Sequence, residues 1–246
     1  MRVAASEFLL KNDVQHLPVN PFSIAAKNGW EVYTYPRFSA IIGKSVSYLV
    51  THYDEKGFVF FSKKKQAFII CYNPAFPADM VRWTLFHEMG HISLRHITAE
   101  TPLMCRNGSD KPFLEAEAQA FARGVLCPPV LLRDCEIEDT AELIEFSGIP
   151  KEEAEVLSRY INGNYEYEVL PLEKQVEKQF SAFIVDYKKN DCRLTKTINK
   201  KTLIPQRDKR RQATVFSCRK GKYINANIKR ILRYYNLYVS GSRRAA

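Results

Sequence analysis

Three of the chain's five histidines, His87, His91 and His96, fall within ten residues of one stretch, TLFHEMGHISLRH (84–96). His87 and His91 stand four positions apart, so on a helix both imidazoles project from one face, a turn apart. Two neutral imidazoles at that separation can reach one Zn²⁺ ion at ~2.0–2.1 Å. Glu88, beside the first histidine, can take a proton from a water whose pKa the metal lowers towards ~7. HEMGH therefore supplies two metal ligands and a base. The competing reading is a pair of core histidines around a solvated glutamate. The half-apolar helical segment, the room that Gly90 leaves, and a ligand candidate on the following helix weigh against it.

A catalytic zinc site needs a third protein ligand and an open fourth position. His96 lies five positions past His91, a spacing that turns it away from the ligand face. It reads as a helix-end residue that supports a ligand, and its positive form would suit the helix C-terminus. The metzincin pattern wants a glycine three residues and a histidine six residues after the second histidine; Leu94 and Ile97 stand there and exclude it. A carboxylate on the helix LEAEAQAFA remains, from Glu115 or Glu117, with Glu115 slightly favoured by geometry. Gln119, one turn after Glu115, can hydrogen-bond a ligand and fix a histidine tautomer.

The elements that must position these groups are readable from period and punctuation. From Ala78 to about His96, Val81, Leu85, Met89 and Ile92 fall on one stripe, which predicts a helix with that face on the core. LEAEAQAFARGVL (114–126) predicts a second helix, ended by Pro128 and Pro129. Residues 20–30 predict a short helix capped by Asn20, with Pro21 in its first turn and Gly29 at its stop. WEVYTY (30–35) reads as a strand and 57–73 as a hairpin closed over the polar SKKKQ. Residues 139–161 read as two short helices around SGIP, a helix-turn-helix outline that is also common as plain packing. VEKQFSAFIVDY (176–187) has apolar residues enough for one more element, and 98–111 reads as a loop.

Composition bounds the rest. The chain's 246 residues allow one main domain and an appendage, and no apolar run approaches the ~20 residues that span a bilayer. The first residues make a poor secretory signal, and six scattered cysteines without a CxxC read as reduced thiols, so the expected compartment is cytoplasmic. Cys192 and Cys218 fit no zinc-ribbon spacing. The net charge of +10 is uneven: residues 188–246 carry 18 Lys/Arg against 2 Asp/Glu, while the preceding part is acidic. By charge that tail, with Tyr223, Tyr234, Tyr235 and Tyr238 interleaved, is the candidate for nucleic-acid contact, and the 139–161 helix pair is a second by its outline alone.

RWTLFHEMGHISLRH followed by EAEAQAFARGVLCP resembles the ImmA/IrrE family of metallopeptidases. Its pattern runs R-x-T-x-x-H-E-x-G-H-x-x-L-H, then E-x-x-A-N-x-F-A-x-x-L-L-M-P. Arg82, Thr84, His87, Glu88, Gly90 and His91 match the first part, with His96 one place past its last histidine; Glu115, Ala118, Phe121, Ala122, Leu126 and Pro128 match the second. The similarity covers about residues 14–165, including the opening helix, strand and hairpin. It implies that Glu115 is the third zinc ligand. Gln119 stands where the family has Asn, and Cys127 where Met is common. The resemblance further implies an α+β, zincin-like fold: a small antiparallel sheet packed on the helices that carry HEMGH and the ligand Glu, then a helical continuation. Residues 1–165 would form this domain, and 166–246 a basic C-terminal extension. The implied activity is zinc-dependent cleavage of a partner repressor that carries a helix-turn-helix, which switches on mobile-element or stress genes. Tyr160, Tyr165, Tyr167 and His96 are the candidate donors to the oxyanion of that reaction. The alternative is a zincin-fold scaffold that binds DNA or a partner protein through its tail.

Overall fold

In the computed structural model, the described residues are 1–101, 111–137, 139–161 and 168–190. Among them the chain begins with α1 (Arg2–Lys11), α2 (Pro21–Lys27), β1 (Glu31–Thr34), α3 (Tyr35–Ile42), α4 (Val46–His52), β2 (Gly57–Ser62) and β3 (Ala67–Tyr72). It continues with α5 (Ala78–Ser93), α6 (Lys111–Leu126), α7 (Pro129–Asp134), α8 (Thr140–Ser147), α9 (Lys151–Ile161), α10 (Pro171–Gln179) and α11 (Ser181–Asn190). The architecture is mixed α+β, a small three-stranded sheet packed on helices. No described helix is long and apolar enough to cross a membrane.

The strand order is β1-β3-β2. β2 and β3 form the expected hairpin, with Val59 opposite Ile70 and Phe60 opposite Ile69. The sheet is not purely antiparallel, however, because β1 runs parallel to β3, with Val32 opposite Ile70. The chain leaves β1 through α3 and α4 before returning by β2, so β3 lies between the two and runs in the direction of β1. Thr34 explains why the strand stops where it does. Its hydroxyl accepts the Arg37 N–H and caps α3, so Tyr35 and Pro36 begin a helix instead of extending β1.

α5 is the central element and is enclosed on nearly all sides, with Leu85, Phe86 and Met89 fully buried. β2 and β3 cover one side of it and α6 another. α1 packs on α6, where Phe8 meets Phe121 edge-on with ring centroids 5.1 Å apart. Each such fully buried large side chain contributes about 1.5–3 kcal/mol of apolar burial. A second, smaller cluster of Tyr35, Phe38, Leu49, Phe58, Ile69 and Cys71 seats α3 and α4 on the sheet.

The paired helices expected over 139–161 are α8 and α9, joined at Gly148, whose φ of +63° closes α8 in the left-handed conformation. Asp139 and Glu142 cap α8 reciprocally. α10, grouped by sequence with the C-terminal extension, packs on α1 and α7 and contributes Val176 to the main core. The buried Glu173 on α10 accepts from Arg2 of α1 through both carboxylate oxygens.

Candidate metal centre

Two helices meet at the site because two positions lack a side chain or nearly so. A β-carbon on Gly90 would lie 3.1 Å from Phe121 Cδ1 and 3.2 Å from Ala118 Cα and O. The glycine in HEMGH thus lets α6 lie against α5 one turn from the histidines. Glu115, one turn before Ala118, is then carried to the histidine face. On the other side, a β-carbon on Gly57 would lie 2.5 Å from Thr84 Cγ2 and 3.8 Å from Glu88 Cγ. β2 therefore passes directly over the turn of α5 that holds Glu88.

Three ligand atoms converge. His87 Nε2 lies 3.0 Å from Glu115 Oε2 and 3.1 Å from His91 Nε2, and His91 Nε2 lies 3.8 Å from Glu115 Oε2. A point about 2 Å from all three atoms exists in such a triangle, the length of a zinc–nitrogen or zinc–oxygen bond. The two rings stand nearly perpendicular, at 78°, with centroids 4.8 Å apart. Among the described residues, His87, His91 and Glu115 are the group whose side chains can hold a metal ion.

The electrostatics are those of a site that wants a cation. Burial pushes the Glu88 carboxyl up to about 7, against the pull of His87 and with the help of Glu115 and Asp54. Burial also acts to raise Glu115, but its hydrogen bond to His87 and the proximity of His91, 3.8 Å away, prevail and hold it well below the usual carboxylate range. Burial opposes charge on His87 too, yet the hydrogen bond to Glu115 and the nearby carboxylates outweigh it and raise its pKa. His91 goes the other way, lowered by burial and by His87. Asp54, from the loop before β2, adds negative charge that nothing in its local sequence marks as functional.

The triad lines a cleft of about 530 Å³ together with Glu88 and Gln119. Its opposite wall is the segment 52–59, including Tyr53 and the start of β2. β2 is an edge strand, so its outer backbone groups have no partner strand among the described residues. Comparison with family models, with curated proteins and with solved structures finds no match.

His96 stands beside His91, and the helical spacing that would turn it away does not extend to it. α5 stops at Ser93, Arg95 takes a φ of +60°, and the chain folds back so that the His96 N–H donates to His91 O at 2.9 Å. Its ring is thereby brought against His91 instead of away from it, with the two Nδ1 atoms 3.0 Å apart. Burial, and then the field of His91, lower its pKa, so the positive form suggested by the helix terminus is disfavoured here. Glu117 lies outside the triad, 3.2 Å from His96 Nε2. Gln119 faces the cleft and makes no hydrogen bond to His87, His91 or Glu115. Tyr165, Tyr167 and the tail from 191 lie outside the described residues, as does the side chain of Tyr160. On α9, the exposed Lys151, Glu152, Glu155 and Arg159 balance in charge, which gives this helix no basic face for DNA.

Proposed function

We propose that this chain is a zinc-dependent endopeptidase with a zincin-like fold. The observation that carries the reading is the convergence of His87, His91 and Glu115 beside the buried Glu88 carboxyl in one cleft. Two imidazole nitrogens and one carboxylate oxygen are a donor set that zinc takes in hydrolytic centres, with a position left for water. Zn²⁺ bound there would supply the Lewis acidity that activates a water and polarises a carbonyl. Glu88 accepts the proton of that water and hands it to the departing amine. Burial chiefly sets that carboxyl at about 7 in the metal-free chain, and the charge of a bound Zn²⁺ would lower it, leaving a carboxylate able to take the proton.

The two motifs that resemble the ImmA/IrrE family support a narrower reading. The substrate would be a helix-turn-helix repressor in the cytoplasm, and its cleavage would release mobile-element or stress genes. Two variants test the pair of claims. Glu115→Ala should abolish retention of stoichiometric zinc by the purified chain. Glu88→Gln should keep the metal and lose cleavage of a helix-turn-helix regulator encoded beside it. Undiminished cleavage by Glu88→Gln would sink the mechanism.

The charge split supports a second role for the tail. With 18 basic residues against 2 acidic ones over 188–246, it would bring the enzyme to nucleic acid or to an acidic face of its substrate. Raising salt should then slow the full chain more than a form lacking 191–246. DNA affinity that survives the deletion unchanged excludes the tail as the contact.

A further inference from the structure

Beyond the triad, a line of polar side chains runs away from the cleft: His91, His96 and Glu117. His91 Nδ1 lies 3.0 Å from His96 Nδ1, and His96 Nε2 lies 3.2 Å from Glu117 Oε2. The side chains of His91 and His96 are 3% and 4% exposed, so water does not stand in for either partner. Two ring nitrogens at 3.0 Å must share one proton, and only two arrangements of the line exist for neutral rings.

In the first, His91 carries its proton on Nδ1 and donates to His96 Nδ1. His96 then carries its own proton on Nε2 and donates to Glu117. In the second, His96 donates to His91, and its bare Nε2 faces the Glu117 carboxylate, two acceptors in contact. That second arrangement also forces the His91 proton onto Nε2, where it would fill the position the metal needs. The carboxylate at the end of the line therefore sets the direction of both hydrogen bonds.

We infer that Glu117 and His96 are positioning residues that lock His91 into the tautomer whose Nε2 lone pair points at the metal site. This rests on the zinc reading above. A ligand histidine usually donates its other nitrogen to a carboxylate or carbonyl, which fixes the ring and raises its basicity. Here a second imidazole is interposed, because the reversal at Arg95 places His96 between α5 and the Glu117 turn of α6. The two glutamates of LEAEA then have distinct tasks: Glu115 completes the triad, and Glu117 orients a ligand of that triad through His96.

Nitrogen-15 NMR of the histidine rings in the metal-free full chain reads the relay directly. The expected result is His91 protonated on Nδ1 and His96 protonated on Nε2. Glu117→Leu removes the terminal acceptor and should weaken Zn²⁺ binding about 10–100-fold, measured by competition with a chromophoric chelator. Glu117→Gln can accept from His96 through its oxygen or donate to it through its amide, so it should mix the two arrangements and bind Zn²⁺ with an affinity between those of wild type and Glu117→Leu. A purely structural role for Glu117 would lower stability in both variants and leave the tautomers unmoved. A wild-type His91 protonated on Nε2 overturns the inference, as does Glu117→Leu binding Zn²⁺ as tightly as wild type. Should Glu117→Leu fail to fold, the wild-type and Glu117→Gln spectra still decide. A wild-type chain that binds no Zn²⁺ refutes the enzymatic reading, while the tautomers report on the relay independently.

Discussion

Gly90 and Ala118 are in backbone contact: a β-carbon on the glycine would sit 3.2 Å from both Cα and O of Ala118. That contact brings the Glu115 helix to the histidine helix. Gly90→Ala gains ~1 kcal/mol of helix propensity. It also presses a methyl group on backbone atoms that cannot swing away, at a cost of about 1–3 kcal/mol. The net effect on stability is a loss of up to about 2 kcal/mol. The site itself is also disturbed, because the helices separate and Glu115 moves off the triad. The expected outcome is a modest fall in Tm with at least a tenfold loss of Zn²⁺ affinity, and Gly90→Val should lose both. Unchanged affinity in Gly90→Val would show that this contact does not set the ligand distance.

Gly57 makes the corresponding approach from the sheet. Its would-be β-carbon overlaps Thr84 Cγ2 at 2.5 Å and crowds the Cys71 carbonyl at 3.0 Å. Gly57→Ala must therefore lift the start of β2 off α5, widening the cleft over Glu88. The predicted cost is about 1–3 kcal/mol in denaturant unfolding. Thr84→Ser removes the clashing methyl group, so the Gly57→Ala, Thr84→Ser double variant should recover part of it. Strict additivity of the two single effects would place the strain elsewhere.

Glu173 holds α10 to α1. It is 1% exposed and accepts from Arg2 and from the Leu170 N–H. Replacing it with leucine leaves the Arg2 guanidinium with part of its donors unmet in a largely buried place, a loss of about 3 kcal/mol. For a chain of this size that is a fall in Tm of roughly 10 °C. Changing Arg2 to Met as well should restore most of the loss, since two apolar side chains replace the pair without a stranded charge. Metal affinity should be unaffected in both variants.

The parts of this molecule that were legible in the sequence are those with local punctuation. Asn20, Pro21 and Gly29 bracket α2 as read, and the Asn20 side chain accepts from the Phe22 and Ser23 N–H groups. The apolar stripe of α5 and the histidine spacing are helical-period signals, and they place His87 and His91 together as expected. α1, α3 and α4 are less legible because distant partners hold them, such as Phe121 against Phe8 and the sheet against Leu49. The direction of β1 relative to β3 is a matter of chain path, on which an alternating pattern is silent. His96 supports a ligand as its position suggests, but it reaches His91 through the left-handed Arg95 beyond Ser93, a reversal on which helical spacing is silent. Spacing alone separates Glu115 and Glu117 only weakly, since each reaches a histidine, Glu115 His87 and Glu117 His96.

Glu88 gives a pH dependence whose direction is determined by its burial. Its carboxyl ordinarily titrates at 4.5 and in the fold at about 7, so the native state binds the extra proton between those values. Stability of the metal-free protein must therefore be greatest, from this group, below 4.5 and must fall as pH rises towards 7. Above 7 the buried ionised carboxylate costs on the order of 3 kcal/mol relative to a neutral side chain. Glu88→Gln is neutral throughout, so in the presence of a chelator its advantage over wild type should be near zero at pH 4.5 and full by pH 8. Adding Zn²⁺ places positive charge beside the carboxylate and should shrink that advantage. Urea unfolding of both proteins across this range makes the test. A stability difference independent of pH would mean that Glu88 is not the group that burial has shifted.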